Sequence, residues 1–445
     1  MSKILIKNAQ IVSDFEVKRG AIVIENEYIK QIVEDDNFEN IADFQLIDAQ
    51  NNFVLPGIID THVHFREPGL TSKADILSES RAAAAGGVTS FVDMPNTIPP
   101  TIDNKTLNHK FELADRSSLI NYSFYIAACN DNFRVLKNID YHKVAGIKLF
   151  FGSSTGNLLV DNHKTIEKIF SLDKIPIVVH SELDWVIKRN YEHLKKVGIE
   201  LQAYHHPRIR SAEACLEATK ILLDLAVKYN TRLHFLHIST KDEIDFVSKL
   251  NIDRTKITFE TSPNYLFFDS NDYQTLGMKI KCNPAIKSPE DKIFLIKALN
   301  DNIIDTIATD HAPHLEAQKQ NPYEKAPSGI PSIQHSLNMM LELVYQKKLT
   351  ISKLVEKMCS NPARIFNIKQ RGFIEPGYYA DLLIVSLNEK TVVERQNLLY
   401  KCGWSPLEGK VFNSKVLTTI VNGKIVYDNG KIIEQKAAKQ LEFVR

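Results

Sequence analysis

Phe53-Val54-Leu55-Pro56-Gly57-Ile58-Ile59-Asp60-Thr61-His62-Val63-His64 is the stretch on which the fold turns. Before it, residues 1–52 hold short alternating runs such as Lys3-Ile4-Leu5-Ile6 and Gly20-Ala21-Ile22-Val23-Ile24, broken by polar turns. Alternation at period two reads as half-buried antiparallel strand. From Phe53 onward, short apolar runs alternate with longer amphipathic stretches, the pattern of repeated βα units. The first run ends on His62 and His64, two positions apart in a strand and so on the same side of it.

Working outward, the apolar runs predict eight inner strands: Phe53–Ile59, Val88–Met94, Ser123–Ala128, Gly146–Phe151, Pro176–His180, Arg232–His237, Ile257–Ser262 and Asp305–Asp310. Helical patterns lie between them. In Ser211–Tyr229, residues Cys215, Ala218, Leu222, Leu225 and Tyr229 recur at spacings of three and four, and Lys73–Ala85 stops at Gly86-Gly87. An α/β chain of this kind over residues 53–365 is a (β/α)8 TIM barrel. Residues 366–445 return to strand-like runs, Leu382–Val385, Leu417–Val421 and Lys424–Tyr427. Residues 1–52 and 366–445 are therefore expected to pair into one small β-sandwich beside the barrel.

Composition narrows the function. Lys+Arg 55 against Asp+Glu 54 gives a net charge of +1, which provides no global field for nucleic acid or anionic membrane. Cys129, Cys215, Cys282, Cys359 and Cys402 are scattered, with no CxxC pair, which suits free buried thiols in a reducing compartment. The N-terminal stretch has no continuous apolar segment, and no run of apolar residues is long enough to span a bilayer. A cytoplasmic protein acting on a small molecule is expected, with a homodimer left open.

Catalytic groups of such a barrel gather at the C-terminal ends of its strands. His62 and His64 end strand one, Lys148 lies near the end of strand four, His180 ends strand five, His237 strand six and Asp310 strand eight. An HxH pair alone could be two hydrogen-bonded histidines at a strand edge; five strand ends carrying metal-capable groups point instead to a metal centre. Lys148 stands in apolar Gly146-Ile147-Lys148-Leu149-Phe150, where a charge is costly unless it snorkels or finds a carboxylate. Poorly solvated beside cations, its amine would lose its proton and could take up carbon dioxide as a carbamate. Arg66 offers a planar fork for a carboxylate, the alternative being a surface ion pair with Glu67. Asn96 could equally be a turn residue after Pro95. Phe151–Asn157 reads as a mobile surface loop or a lid over the site, and His311 and His205-His206 as non-catalytic.

Asp60-Thr61-His62-Val63-His64-Phe65-Arg66-Glu67-Pro68-Gly69, Ala308-Thr309-Asp310-His311-Ala312-Pro313-His314 with Lys319, and Met94-Pro95-Asn96-Thr97 together resemble the amidohydrolase superfamily and, within it, the dihydroorotases. The resemblance implies reversible hydrolysis of (S)-dihydroorotate to N-carbamoyl-L-aspartate in de novo pyrimidine biosynthesis. It further implies two zinc ions, one held by His62, His64 and Asp310 and one by His180 and His237, bridged by carbamylated Lys148 and a hydroxide. Arg66, Asn96 and His314 would hold the substrate carboxylate, Asn283 would contact the ring, and Asp310 would shuttle the proton. Allantoinases and hydantoinases share the barrel, the HxH and the bridging lysine; Arg66 and the Asp-His-Ala-Pro-His run favour a carboxylate-bearing substrate. A non-catalytic assembly partner on the same fold would have lost ligands, and none is missing. Strand seven departs from the pattern, reading Thr261-Ser262-Pro263-Asn264-Tyr265-Leu266 where relatives often carry two histidines, which leaves the packing there open.

Overall fold

The computed structural model describes residues 3–34, 43–152, 158–160 and 162–445. Eight parallel strands follow one another around a barrel in chain order: Ile58–Val63, Val88–Asp93, Asn121–Ala127, Gly146–Phe151, Ile177–Ser181, Leu233–Phe235, Ile257–Thr261 and Thr306–Ile307. The ring closes where Val63 pairs with His311 and the His64 amide donates to the His311 carbonyl at 2.8 Å. Buried leucine, isoleucine, valine and phenylalanine from strands and helices form one continuous core around it.

The helices start and stop where their end groups are satisfied. Asp75 caps Ile76–Ala85 by accepting from the Ser78 amide, so the helix begins three residues after the expected Lys73. It ends at Gly86, whose Cβ would sit 2.6 Å from the Ile333 carbonyl oxygen. Ser211 caps Ala212–Tyr229, and Asn230 in the left-handed region closes it.

The expected first inner strand, Phe53–Ile59, is two strands. Phe53–Pro56 pairs with Gln10-Ile11 and antiparallel with Leu382–Val385, and only Ile58–Val63 enters the barrel. The break falls at Gly57, where a Cβ would lie 2.0 Å from Thr89 Oγ1. Both chain ends join in one mixed nine-stranded sheet. Its faces alternate as period two requires: Val54, Leu382 and Ile384 pack a separate core with Ile4, Ile6, Ile22 and Ile24, while Leu55, Leu383 and Val385 pack against the barrel.

Two parts of the C-terminal region leave this sheet. Lys439 and Leu441 exchange backbone hydrogen bonds with Tyr122, Leu441 and Phe443 join a cluster with Ile59, Tyr125 and Val178, and Arg445 donates to the Ala145 and Phe366 carbonyls at 2.8 Å. The tail thus covers the N-terminal end of the barrel. Residues near 400 reach the opposite end, where buried Trp404 Nε1 donates to the His314 carbonyl at 2.7 Å. Neither excursion was visible as a strand pattern. Among the described residues no helix is long and apolar enough to cross a membrane. All five cysteines are free and buried.

Candidate metal centre and substrate cavity

A cavity of about 750 Å³ opens at the C-terminal ends of the strands. His62, His64, Lys148, His180, His237 and Asp310 line it, and so do Arg66, Asn96, Asn283 and His314. Every expected site residue therefore faces one space. The lid reading of Phe151–Asn157 falls on residues 153–157, outside the described residues.

The strands present these groups by bending at their ends. His237 and Asp310 follow short ladders, Leu233–Phe235 and Thr306–Ile307, rather than the full runs expected from sequence. Their φ angles are 41° and 49°, and that of Arg66 is 67°. Non-glycine residues adopt that region at a cost, and here it turns each side chain off the ladder into the cavity.

His62 Nε2 and His64 Nε2 both lie 3.2 Å from Asp310 Oδ1. Their outer nitrogens are engaged: His62 Nδ1 donates to Glu260 Oε1 at 2.8 Å, and Asn96 Oδ1 accepts from His64 Nδ1 at 2.8 Å. His180 Nε2 donates to Glu182 Oε2 at 3.0 Å, which leaves Nδ1 as a lone pair 3.0 Å from His237 Nε2. On His62, His64 and His180 one ring nitrogen is bound to an acceptor, which turns the other toward the cluster as on metal-ligating histidines, while His237 Nδ1 has no hydrogen-bond partner among the described residues. The donor set therefore fits a cation.

The electrostatics agree. Burial pushes His64 down to about 4 and also lowers His180 and His237, so these imidazoles are neutral and can coordinate. Burial opposes charge on His62 as well, but Asp310 and Glu260 hold it up to about 9, so a cation binding there displaces a proton. Against burial, His62 and His64 keep the Asp310 carboxyl well below the usual range. Lys148 is buried with no carboxylate in ion-pair distance among the described residues; its Nζ lies 4.8 Å from the Phe150 ring centre, and burial pushes it down to about 7.

Arg66 is not paired with Glu67, whose Oε2 accepts from the Ile76 amide at 2.9 Å. Its Nε donates to the Pro313 carbonyl at 3.2 Å and its Nη2 lies 3.2 Å from His314 Nε2. Asn283 Oδ1 lies 3.2 Å from buried His206 Nε2, which also donates to the Cys282 carbonyl at 2.8 Å. His311 is bound at 2.8 Å to buried Glu79, away from the cavity, as a structural residue would be.

The amidohydrolase family matches residues 53–426 of this chain. Proteins named dihydroorotase are similar along nearly the whole length. That of Aquifex aeolicus is 34% identical over 436 residues, covering 96% of this chain and 100% of its own. That of Clostridioides difficile is 33% identical over 437 residues, covering 96% and 100%. The chain belongs to the amidohydrolase family, among its dihydroorotases. Among solved structures, the L-hydantoinase (dihydropyrimidinase) of Arthrobacter aurescens superposes with a TM-score of 0.93 at 26% identity, covering 99% of this chain and 100% of that one. The dihydropyrimidinase of Brevibacillus agri, at 0.90 and 23% identity over the full length of both chains, shares the fold. As an amidohydrolase the chain is a metal-dependent cyclic amide hydrolase.

Sequence reading missed the groups behind the site. Glu260 of strand seven accepts from His62 and lies 3.5 Å from His234 Nε2. Glu182 holds His180 and pairs with Arg210. Glu260 stands inside an apolar strand, where a buried charge needs a partner, and that was an available signal; Glu182 follows the strand Ile177–Ser181, two residues after His180. The departure at strand seven has its answer too: Ser262 Oγ donates at 2.9 Å and Asn264 Nδ2 at 3.3 Å to the Thr309 carbonyl, bracing the residue before Asp310. Lys319 donates to the Lys281, Pro327 and Gly329 carbonyls at 3.0, 2.9 and 3.0 Å, pinning the cavity wall beside Ser328.

Proposed function

We infer that the chain is a dihydroorotase, opening and closing the cyclic amide of dihydroorotate. The observation that carries this reading is the lining of one cavity, which joins a cluster of metal-capable histidines and Asp310 to a buried arginine beside His314 that has no acid in ion-pair distance among the described residues. A ring bearing both a hydrolysable amide and a carboxylate matches both sets of groups. Full-length similarity to proteins named dihydroorotase supports the same choice. A hydantoinase is the rival, favoured by the solved structures, but its neutral ring gives Arg66 nothing to bind. Turnover of dihydroorotate, allantoin and hydantoin by the purified protein decides between them; hydantoin as the preferred substrate overturns the reading.

We propose that His62, His64 and Asp310 would hold one zinc ion and His180 and His237 a second, with Lys148, carbamylated, as a further anionic ligand. Bound there, the metal would acidify water and polarise the amide carbonyl. Asp310 takes the proton of the attacking water and passes it to the ring nitrogen as the C–N bond breaks. Arg66, Asn96 and His314 hold the carboxylate so that the scissile amide faces Asp310, and Asn283 orients the ring. Ring closure is the same sequence reversed. The buried free thiols support a reducing, cytoplasmic setting.

Arg66→Met is expected to raise KM for dihydroorotate steeply, since a buried carboxylate that loses its charged partner costs on the order of 2–5 kcal/mol. Unchanged kinetics would show that the carboxylate is held elsewhere. Glu260→Gln removes the charge that fixes His62, and is expected to weaken metal affinity by roughly 10- to 100-fold. Competition against a chelator measures this, and wild-type affinity would reduce Glu260 to a packing residue.

A further inference from the structure

Lys73 lines the same cavity as Arg66 and His314, and no step described above uses it. Its Nζ lies 3.2 Å from His314 Nδ1, while Arg66 Nη2 lies 3.2 Å from Nε2 of the same ring. The third neighbour of that ring is the Ser328 carbonyl, 3.1 Å from Nε2. Burial, reinforced by Arg66 and Lys73, keeps the imidazole neutral, so it carries a single N–H.

The three contacts cannot all be satisfied. With the proton on Nε2, Ser328 accepts it and Lys73 donates to Nδ1, but Arg66 then points an N–H at an N–H. With the proton on Nδ1, Arg66 donates to Nε2, but Lys73 faces a donor and Ser328 loses its own. Either tautomer leaves one cation aimed at a donor, a conflict that an anionic acceptor placed between them removes.

The acids whose charge reaches Arg66 are engaged elsewhere, Asp310 with His62 and His64, Asp93 with Lys110 and Glu79 with His311. Glu67 accepts from the Ile76 amide, and Asp75 caps the following helix and pairs with Lys401. Lys73 is also held in place. The Leu70 amide donates to the Arg66 carbonyl and the Lys73 amide to the Leu70 carbonyl, each at 3.0 Å, so two successive turns link the two cations.

We propose that Lys73 is a second cationic residue of the carboxylate subsite, gripping the substrate carboxylate together with Arg66 across His314. The proposal rests on the dihydroorotase reading. It is tested by steady-state kinetics of the metal-loaded enzyme on dihydroorotate with Lys73→Met and Lys73→Arg, with melting temperature and metal content measured alongside. Lys73→Met is expected to raise KM by roughly 10- to 100-fold, the loss of one hydrogen bond to a charged group, with kcat little changed. Lys73→Arg is expected to restore most of the affinity. An unchanged KM, a loss confined to kcat, or an arginine variant as weak as the methionine one overturns the role. A wild-type enzyme inactive on dihydroorotate would instead overturn the function itself, so the two failures are distinct.

Discussion

Asp310→Asn is expected to retain most of its metal and to lose turnover by roughly 10²- to 10⁴-fold in both directions, the range for removal of a general acid–base group. The carboxylate is placed to do two things. Oδ1 stands 3.2 Å from the inner nitrogens of both His62 and His64, where a ligand atom belongs, and the residue opens onto the cavity that receives the substrate. An amide keeps an oxygen for the first task but cannot carry a proton at neutral pH. Buried beside imidazoles that hold it ionised, Asp310 is a weak base, which suits a group that must give the proton back. Hydrolysis should therefore require its ionised form and synthesis its protonated form. Initial rates in each direction against pH test this, since ring closure itself consumes a proton and shifts the end point. A variant with full metal content and near wild-type rates would move the shuttle to another group, with His314 the next to test.

The metal-capable residues were legible because their chemistry sits at strand ends, and strand ends can be found from apolar runs. His62 and His64 terminate one such run, and His180, His237 and Asp310 one each, and the barrel brings these four ends to one face. What periodicity could not reveal is how the ends bend. Arg232–His237 and Asp305–Asp310 read as continuous strands, yet their ladders stop two or more residues early because His237 and Asp310 take positive φ. Apolar pattern records burial, and buried residues just past a strand look like strand.

The supporting groups were hidden for a different reason. Glu260 matters through His62, and a partnership across 198 residues leaves no local spacing to read, while Glu182 stands two residues after His180, just past the apolar run that marks the strand. The path of the C-terminal region was hidden in the same way. Trp404 reaches the His314 carbonyl and Leu441 covers the far end of the barrel, although both lie in a stretch whose clearest local signal was strand. The split of Phe53–Ile59 did leave a local signal, since Pro56-Gly57 interrupts the run.

Lys148→Ala is expected to lose both metal and activity, and short carboxylic acids are expected to restore part of each. Lys148 stands in the strand Gly146–Phe151, flanked by Ile147 and Leu149 that pack into the core. Against the pull of Asp310 and Glu260, burial brings its ammonium down to about 7, so neutral amine is present at neutral pH. That amine can add to carbon dioxide, forming an N–C bond and releasing a proton to solvent. The product is an anion in a buried place, stable only beside cations, and cations held among neutral imidazoles need an anionic ligand in turn. Each requires the other, so deleting the amine should empty the site rather than weaken it slightly. Elemental analysis should find about two metal ions per wild-type chain, as a paired-metal site requires, and far less in the variant. Wild-type protein equilibrated with ¹³C-labelled carbon dioxide should give a carbamate carbon signal that Lys148→Ala lacks. The melting curve of the variant separates loss of the ligand from loss of the fold. A folded Lys148→Ala with full metal and full activity would mean that another residue joins the two halves of the site.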